Sequence, residues 1–196
     1  MGKDIEKNIL NAAIKVVSQE KISGTRMHMI AKEANMSQAN LHYHFATKND
    51  IMIAILDSIQ EQFSSRRTKY IDLKNKSTAE NIRGFFEQKK DEILNNKEAE
   101  SIQVDYWVQG TANDEIRSKF QNTFNIWRSN ISEVLNKSEF KDDLDKKYND
   151  MIPFIMVSIM LGASFQYLID EGKFDLEEYF DIAEKIMFEK YLKTEK

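Results

Sequence analysis

The sequence predicts an all-α fold, and three observations carry that expectation. Apolar residues recur at helical spacing almost throughout the chain, the pattern of helices that each bury one face. Only 6 glycines and 1 proline punctuate 196 residues, too few for the turns that a sandwich or barrel needs. Short polar clusters with helix-capping chemistry divide the periodic stretches into nine segments. No credible strand, repeat or low-complexity linker interrupts them.

Taken in order, Ile5, Ile9, Ala12, Ala13, Val16 and Val17 form one face of a first helix, which Lys21 to Gly24 ends. Thr25 is placed to cap a short second helix that turns Met27, Ile30, Ala31 and Ala34 inward. Asn35 follows, where a left-handed residue suits a tight turn. Ser37 caps a third short helix with Leu41 and Phe45 facing the bundle. Thr47 and Asp50 make a capping box for a long fourth helix, whose stripe is Ile51, Met52, Ile55, Leu56, Ile59 and Phe63. Ser77 with Glu80 opens a fifth helix, over 78–96. A short sixth carries Ile102, Val104, Tyr106 and Trp107. Asn113 opens a seventh with Ile116, Phe120, Phe124, Trp127 and Ile131. The eighth runs from Leu144 to Ile169, and Asp175 with Glu178 caps a ninth that ends near Leu192.

Composition removes whole classes of function. With Cys 0, disulfide frameworks, cysteine zinc sites and thiol catalysis are excluded, and a cytoplasmic address fits best. No two glycines lie closer than ten residues, so neither a dinucleotide fingerprint nor a P-loop can be written. The N-terminus lacks the apolar region of a signal peptide, and Glu6 breaks a myristoylation pattern. Met151 to Ile169 is uncharged and about 28 Å long as a helix, just enough to span a bilayer. Pro153, Ser158, Ser164 and Gln166 lie inside it and Asp150, Asp170 and Glu171 flank it, so a buried or interface helix is the expectation. A membrane-associated helical interaction protein is the alternative that this stretch keeps open.

The formal net charge of −4 argues by itself against a nucleic-acid partner. Its distribution argues the other way. Residues 1–50 hold seven bases against five acids and all three histidines, whereas the rest holds 21 bases against 27 acids. The basic part contains helix, tight turn and short helix over Thr25 to Phe45, a helix-turn-helix pattern. On the third helix, the face opposite Leu41 carries Ala39, Asn40 and Tyr43, flanked by Gln38, His42 and His44. Such a face suits a DNA groove. Ala39 permits close approach, the amides of Gln38 and Asn40 match base edges, and the rings can donate to phosphates.

Read together, these residues resemble the TetR family of bacterial transcriptional repressors. The family pattern, T-x-x-x-x-I-A-x-x-A-G-V-S-x-G-T-L-Y-x-Y-F-x-x-K-x-x-L, is met without gaps. Its positions are Thr25, Ile30, Ala31, Ala34, Asn35, Met36, Ser37, Ala39, Asn40, Leu41, His42, Tyr43, His44, Phe45, Lys48 and Ile51. Asn35 stands for the turn glycine, Ala39 for glycine and His42 for tyrosine. The resemblance implies a homodimer, with a DNA-binding domain over 1–48 and an effector-binding and dimerisation domain over 49–196. It implies a repressor that a small molecule releases from its operator. Gln38, Ala39, Asn40 and Tyr43 would then meet base edges or the sugar-phosphate wall. Ser37 belongs to the same contact surface, His42, His44, Thr47 and Lys48 would hold phosphates, and Arg26 and His28 would touch the adjacent backbone.

In the larger part, Phe63, Phe86, Tyr106, Trp107, Phe120, Phe124, Trp127, Met156, Met160 and Phe165 are candidate lining for an effector pocket. The same residues could equally be plain core. The run from Tyr106 to Leu135 is similar to the C-terminal type of choline-responsive family members, which leaves a cation cage and a lipophilic effector both open. The apolar stretch of the eighth helix beside Tyr179, Phe180, Ala183, Ile186 and Met187 predicts a homodimer through helices 8 and 9. Catalysis is not expected. His42 and His44, two apart on a helix, do not face each other as metal ligands, and no G-x-S-x-G elbow exists. The acid pairs Asp142/Asp143 and Glu177/Glu178 fall in polar stretches that read as solvated faces. No metal and no cofactor are expected.

Overall fold

The computed structural model describes residues 2–137 and 146–192, and these residues form nine helices without a strand among them. They are α1 (Gly2–Gly24), α2 (Met27–Glu33), α3 (Gln38–His44), α4 (Lys48–Tyr70), α5 (Thr78–Asn95), α6 (Lys97–Gly110), α7 (Asp114–Asn136), α8 (Lys146–Ile169) and α9 (Leu176–Leu192). The order and number follow the capping signals. Ser37 accepts from the Asn40 N–H, Ser77 and Glu80 form the reciprocal box, and Asn113 Oδ1 accepts from the N–H groups of Glu115 and Ile116. Asp175 likewise accepts from the Glu178 N–H at the start of α9.

Thr25 differs from the sequence expectation, and two helix boundaries gain detail. The segment assigned as α1 continues to Gly24, but Lys21 interrupts it at φ 60, ψ 168, outside the helical region. Thr25 does not cap α2. Its hydroxyl donates backwards to the Lys21 carbonyl at 2.7 Å, and the residue preceding α2 is Arg26, whose side chain makes no capping bond. A threonine after a helix end can bond forward or back, and the break at Lys21 supplies the backward acceptor. The sixth helix, 14 residues from Lys97 to Gly110, extends on both sides of the four residues that marked it. Leu144 and the pair Asp142/Asp143 lie outside the described residues.

The chain divides into two compact units. The first holds residues 1–63 and 101–118, the second 64–100 and 119–196. Thus α4, α6 and α7 each contribute residues to both.

In the first unit Ile9, Ala13, Val17, Ile30, Leu41, Ile51, Ile55 and Leu56 are buried almost completely. Each buried Val, Ile or Leu side chain contributes about 1.5–3 kcal/mol, which holds the short α2 and α3 against α1 and α4. The Tyr106 hydroxyl donates to the Met52 carbonyl at 2.5 Å, tying α6 to α4.

The second unit is built around Ile82, Phe85, Phe86 and Ile93 of α5. Ile131, Val134 and Leu135 of α7, Met156 and Met160 of α8, and Phe180 and Phe188 of α9 pack against them. Gly84 is required there, because a Cβ would stand 2.5 Å from the Tyr70 carbonyl oxygen. One face of α8 is thus core, while Met151, Phe154 and Ile155 of the same helix stay about half exposed. By length and composition α8 also passes as a membrane-crossing segment, a test that the core helix of a soluble protein passes too.

Polar groups are buried in this unit as well. Lys89 binds both oxygens of Glu100 at 2.7 and 2.8 Å and lies 3.6 Å from Glu92, to which Gln88 donates at 2.7 Å. Ser164 hydrogen-bonds Glu100. The Glu92 carboxyl is pushed up to about 7 by burial, with Lys89 opposing and Glu100 adding to the rise.

Candidate DNA-binding face

The turn between α2 and α3 is built from local chemistry. Ala34 ends α2, Asn35 takes φ 53, and the Met36 N–H bonds back to the Ala31 carbonyl at 3.0 Å. An asparagine tolerates that left-handed position at little cost, so the missing glycine does not alter the turn. Ser37 then satisfies the Asn40 N–H at 3.1 Å, and Leu41, with no exposed surface, anchors α3 on the core.

With Leu41 inside, the rest of α3 faces outward. Gln38, Ala39, Asn40, His42 and Tyr43 are exposed, Tyr43 by 84%. A tyrosine so exposed adds little to the core, so its ring is available for a groove. Phe45 is only half-buried, as is His44, whose ring meets Tyr43 edge-on at 5.3 Å. His42 is held between its own helix and the turn that follows it. Its Nδ1 lies 3.0 Å from the Ala46 carbonyl, which can only accept, so this nitrogen carries the proton. Its Nε2 faces the Gln38 amide at 3.5 Å.

The phosphate candidates surround this helix. The Thr47 N–H donates to Asp50 at 2.8 Å and the Asp50 N–H to Thr47 Oγ1 at 3.1 Å, so the Thr47 hydroxyl proton is left to donate outward. The α4 N-terminus adds its partial positive charge. Lys48 is half-buried, and its ammonium is held below the usual lysine range, by burial first and then by the like charge of Arg26. Two cations near enough to repel each other make a receptor for an anion. Arg26 is exposed and oriented by bonds from Nη1 to the carbonyls of Ser23, at 2.7 Å, and Thr25, at 3.1 Å. His28 is exposed on α2.

The remaining expected residues divide between the units. Phe63, Tyr106 and Trp107 belong to the first, where Phe63 and Tyr106 are core and Trp107 is half-buried. The second unit holds Phe86, stacked on Phe180, and the run Phe120, Phe124 and Trp127, whose rings lie about 6 Å apart in sequence. Met156 and Met160 are buried there, and Phe165 lines a shallow crevice of about 440 Å³ with Ile169 and Phe174. A larger crevice of about 720 Å³ is lined by Lys90, Tyr167, Phe174 and the first turn of α9, whose acids the sequence marked only as a cap and a solvated pair. It also missed how α6 and α7 meet the head. Asp105 accepts from the Ile22 N–H, and Asn49 bonds both Asn113 and Glu115. Partners more than sixty residues apart leave no local signal.

Comparison with known proteins places this geometry. The family model of bacterial regulatory proteins, tetR family, matches residues 9–55, which contain the turn, α3 and the first turns of α4. Residues 9–55 thus carry the tetR-family DNA-binding signature. The chain is a DNA-binding transcriptional regulator. The fatty acid metabolism regulator protein of Bacillus subtilis is 23% identical over 172 residues, covering 86% of each chain. The HTH-type transcriptional regulator RutR of Escherichia coli is 43% identical over 54 residues, which are 28% of this chain and 26% of that one. Among solved structures, a transcriptional regulator proposed for Saccharomonospora viridis, in complex with choline, aligns with a TM-score of 0.82. Its identity is 18%, over 94% of this chain and 96% of that one, a likeness of fold. TetR-family regulators bind operator DNA and small-molecule effectors, form dimers and are soluble proteins.

Proposed function

We propose that this regulator is a homodimeric repressor whose residues 1–48 occupy an operator half-site and whose residues 49–196 receive a releasing effector. The observation that carries the reading is the α3 face: Gln38, Ala39, Asn40 and Tyr43 exposed together, opposite a fully buried Leu41. These four meet base edges or the sugar-phosphate wall. Ser37, His42, His44, Thr47 and Lys48 hold the phosphates of one groove wall, and Arg26 and His28 touch the neighbouring backbone. Repression follows from such an operator lying across the start of a gene.

Dimerisation through α8 and α9 is supported by their exposed apolar side chains. Met151, Phe154 and Ile155 on α8 and Ile182 and Ile186 on α9 are 45–79% exposed. A face of this kind is what a two-fold interface covers. The effector lies in the second unit against aromatic and methionine side chains drawn from Phe86, Phe120, Phe124, Trp127, Met156, Met160 and Phe165. The choline complex of one structural neighbour and the fatty-acid regulator among the relatives supply the two ligand chemistries to try. The protein works in the cytoplasm, with neither catalysis nor a cofactor.

Protection footprinting on the DNA upstream of its own coding region tests the reading, repeated with choline and with long-chain acyl compounds. A protected site that one of the two ligands erases is the expected result. Absence of any protected site overturns the proposal.

A further inference from the structure

The carboxylate of Asp105, in the part of α6 that belongs to the first unit, meets α1 where that helix breaks. Lys21 there has φ 60, a conformation that a side chain with a Cβ adopts only when neighbours hold it. The break releases the Ile22 N–H from the helical ladder, and it donates instead to Asp105 Oδ2 at 2.5 Å, a charge-assisted bond. One turn earlier on α6, Ser101 accepts from the Lys21 ammonium at 3.4 Å. The Lys21 carbonyl is held in turn by the N–H and hydroxyl of Thr25, a residue with no exposed surface. So the corner that leads into Arg26 is fixed from α6. The opposite charge of Asp105 also works against the lowering of the Lys48 ammonium.

We infer that Asp105 is a positioning residue for operator binding: from α6 it pins the α1–α2 corner and so holds Arg26 where a DNA phosphate passes, beside Lys48. It touches no DNA, since a carboxylate would repel the backbone. The inference rests on the reading of this face as a DNA contact.

Two roles for Asp105 make opposite demands. As a mere surface charge beside two cations it weakens binding to every duplex, and its removal strengthens binding to all of them. As a pin it serves the cognate geometry, and its removal is felt on the cognate sequence.

The test uses the full chain, a duplex that the wild type selects from a random library, and a shuffled duplex of the same length. For Asp105→Ala, affinity for the selected duplex falls about tenfold or more, about 1.4 kcal/mol, while affinity for the shuffled one holds or rises. Asp105→Asn, which keeps an oxygen acceptor of the same reach, recovers most of the loss. The ratio of the two affinities is the readout, because a smaller folded fraction scales both titrations alike. An unchanged ratio in Asp105→Ala, or a rise on both duplexes, overturns the inference. A wild type that selects no sequence overturns the DNA reading itself, and the inference with it.

Discussion

Asn40 and Lys48 do different work on the same face, and substitution separates them. Asn40 offers an exposed amide on the first turn of α3, suited to a base edge. Asn40→Ala should cost about 1–3 kcal/mol at the cognate site and relax the preference at one base position. Lys48→Ala should instead weaken binding to all sequences and reduce the salt slope by about one unit per head. Equal losses for both variants on cognate and random DNA would contradict this division, which salt titrations of binding will reveal.

A second residue-scale prediction concerns Glu92. Burial raises its carboxyl to about 7, so the folded protein keeps a proton that the unfolded chain has already lost. The stability this contributes is complete below the ordinary carboxylate range and fades as pH rises through about 7. Wild-type melting temperature should therefore drop between pH 5 and pH 8 by more than that of Glu92→Gln, reflecting up to about 3 kcal/mol. Parallel melting profiles for the two proteins would place Glu92 in a wetter site. Residues that act on their neighbours three or four along, such as Asn35, Ser37, Thr47 and Ser77, were legible in the sequence. Thr25 was not, because its hydroxyl has an acceptor on either side and only the break at Lys21 chooses between them.

At the scale of elements, hydrophobic period and capping boxes located the helices, and the α4 stripe from Ile51 to Phe63 is buried as its spacing requires. What period cannot show is how closely two elements approach. Gly84 of α5 lies against the backbone at the end of α4, where a methyl group meets the Tyr70 carbonyl. Gly84→Ala should lower stability by about 1–3 kcal/mol despite the better helix propensity of alanine. Thermal or urea unfolding checks this, and a stabilised variant would mean that the α4 end moves away freely. The α8 sequence was ambiguous for a related reason. A uniformly apolar helix reads alike whether lipid, core or a partner subunit covers it, and only the buried Met156 and Met160 beside exposed Phe154 and Ile155 separate its faces. Ile186→Glu, at a position already 79% exposed, should leave the monomer folded and shift a micromolar sample from dimer to monomer. Light scattering that shows an unaltered mass would move the interface elsewhere.

For the whole molecule, repression and release require one equilibrium to be felt at two places. Three helices, α4, α6 and α7, carry residues of both compact units, so the chain has continuous elements through which binding at one can bias the other. A 100-fold loss of operator affinity needs about 2.7 kcal/mol of coupling, and linkage makes the effect reciprocal. Saturating operator DNA should then weaken the effector by the same factor in calorimetric titrations; equal affinities with and without DNA would mean that the ligand binds without control. Charge and motif marked the DNA-binding part in the sequence, but an effector site stayed illegible because core and pocket use the same aromatic residues.

Sequence selection from a random duplex library shows most directly whether paired α3 faces read DNA. Paired faces should select a two-fold-symmetric consensus, its half-sites separated by about one helical turn or a multiple of it. Asn40→Ala should lose the preference at one position in each half. A consensus without symmetry, or an Asn40→Ala protein that selects the same sequence as wild type, would contradict such a reading.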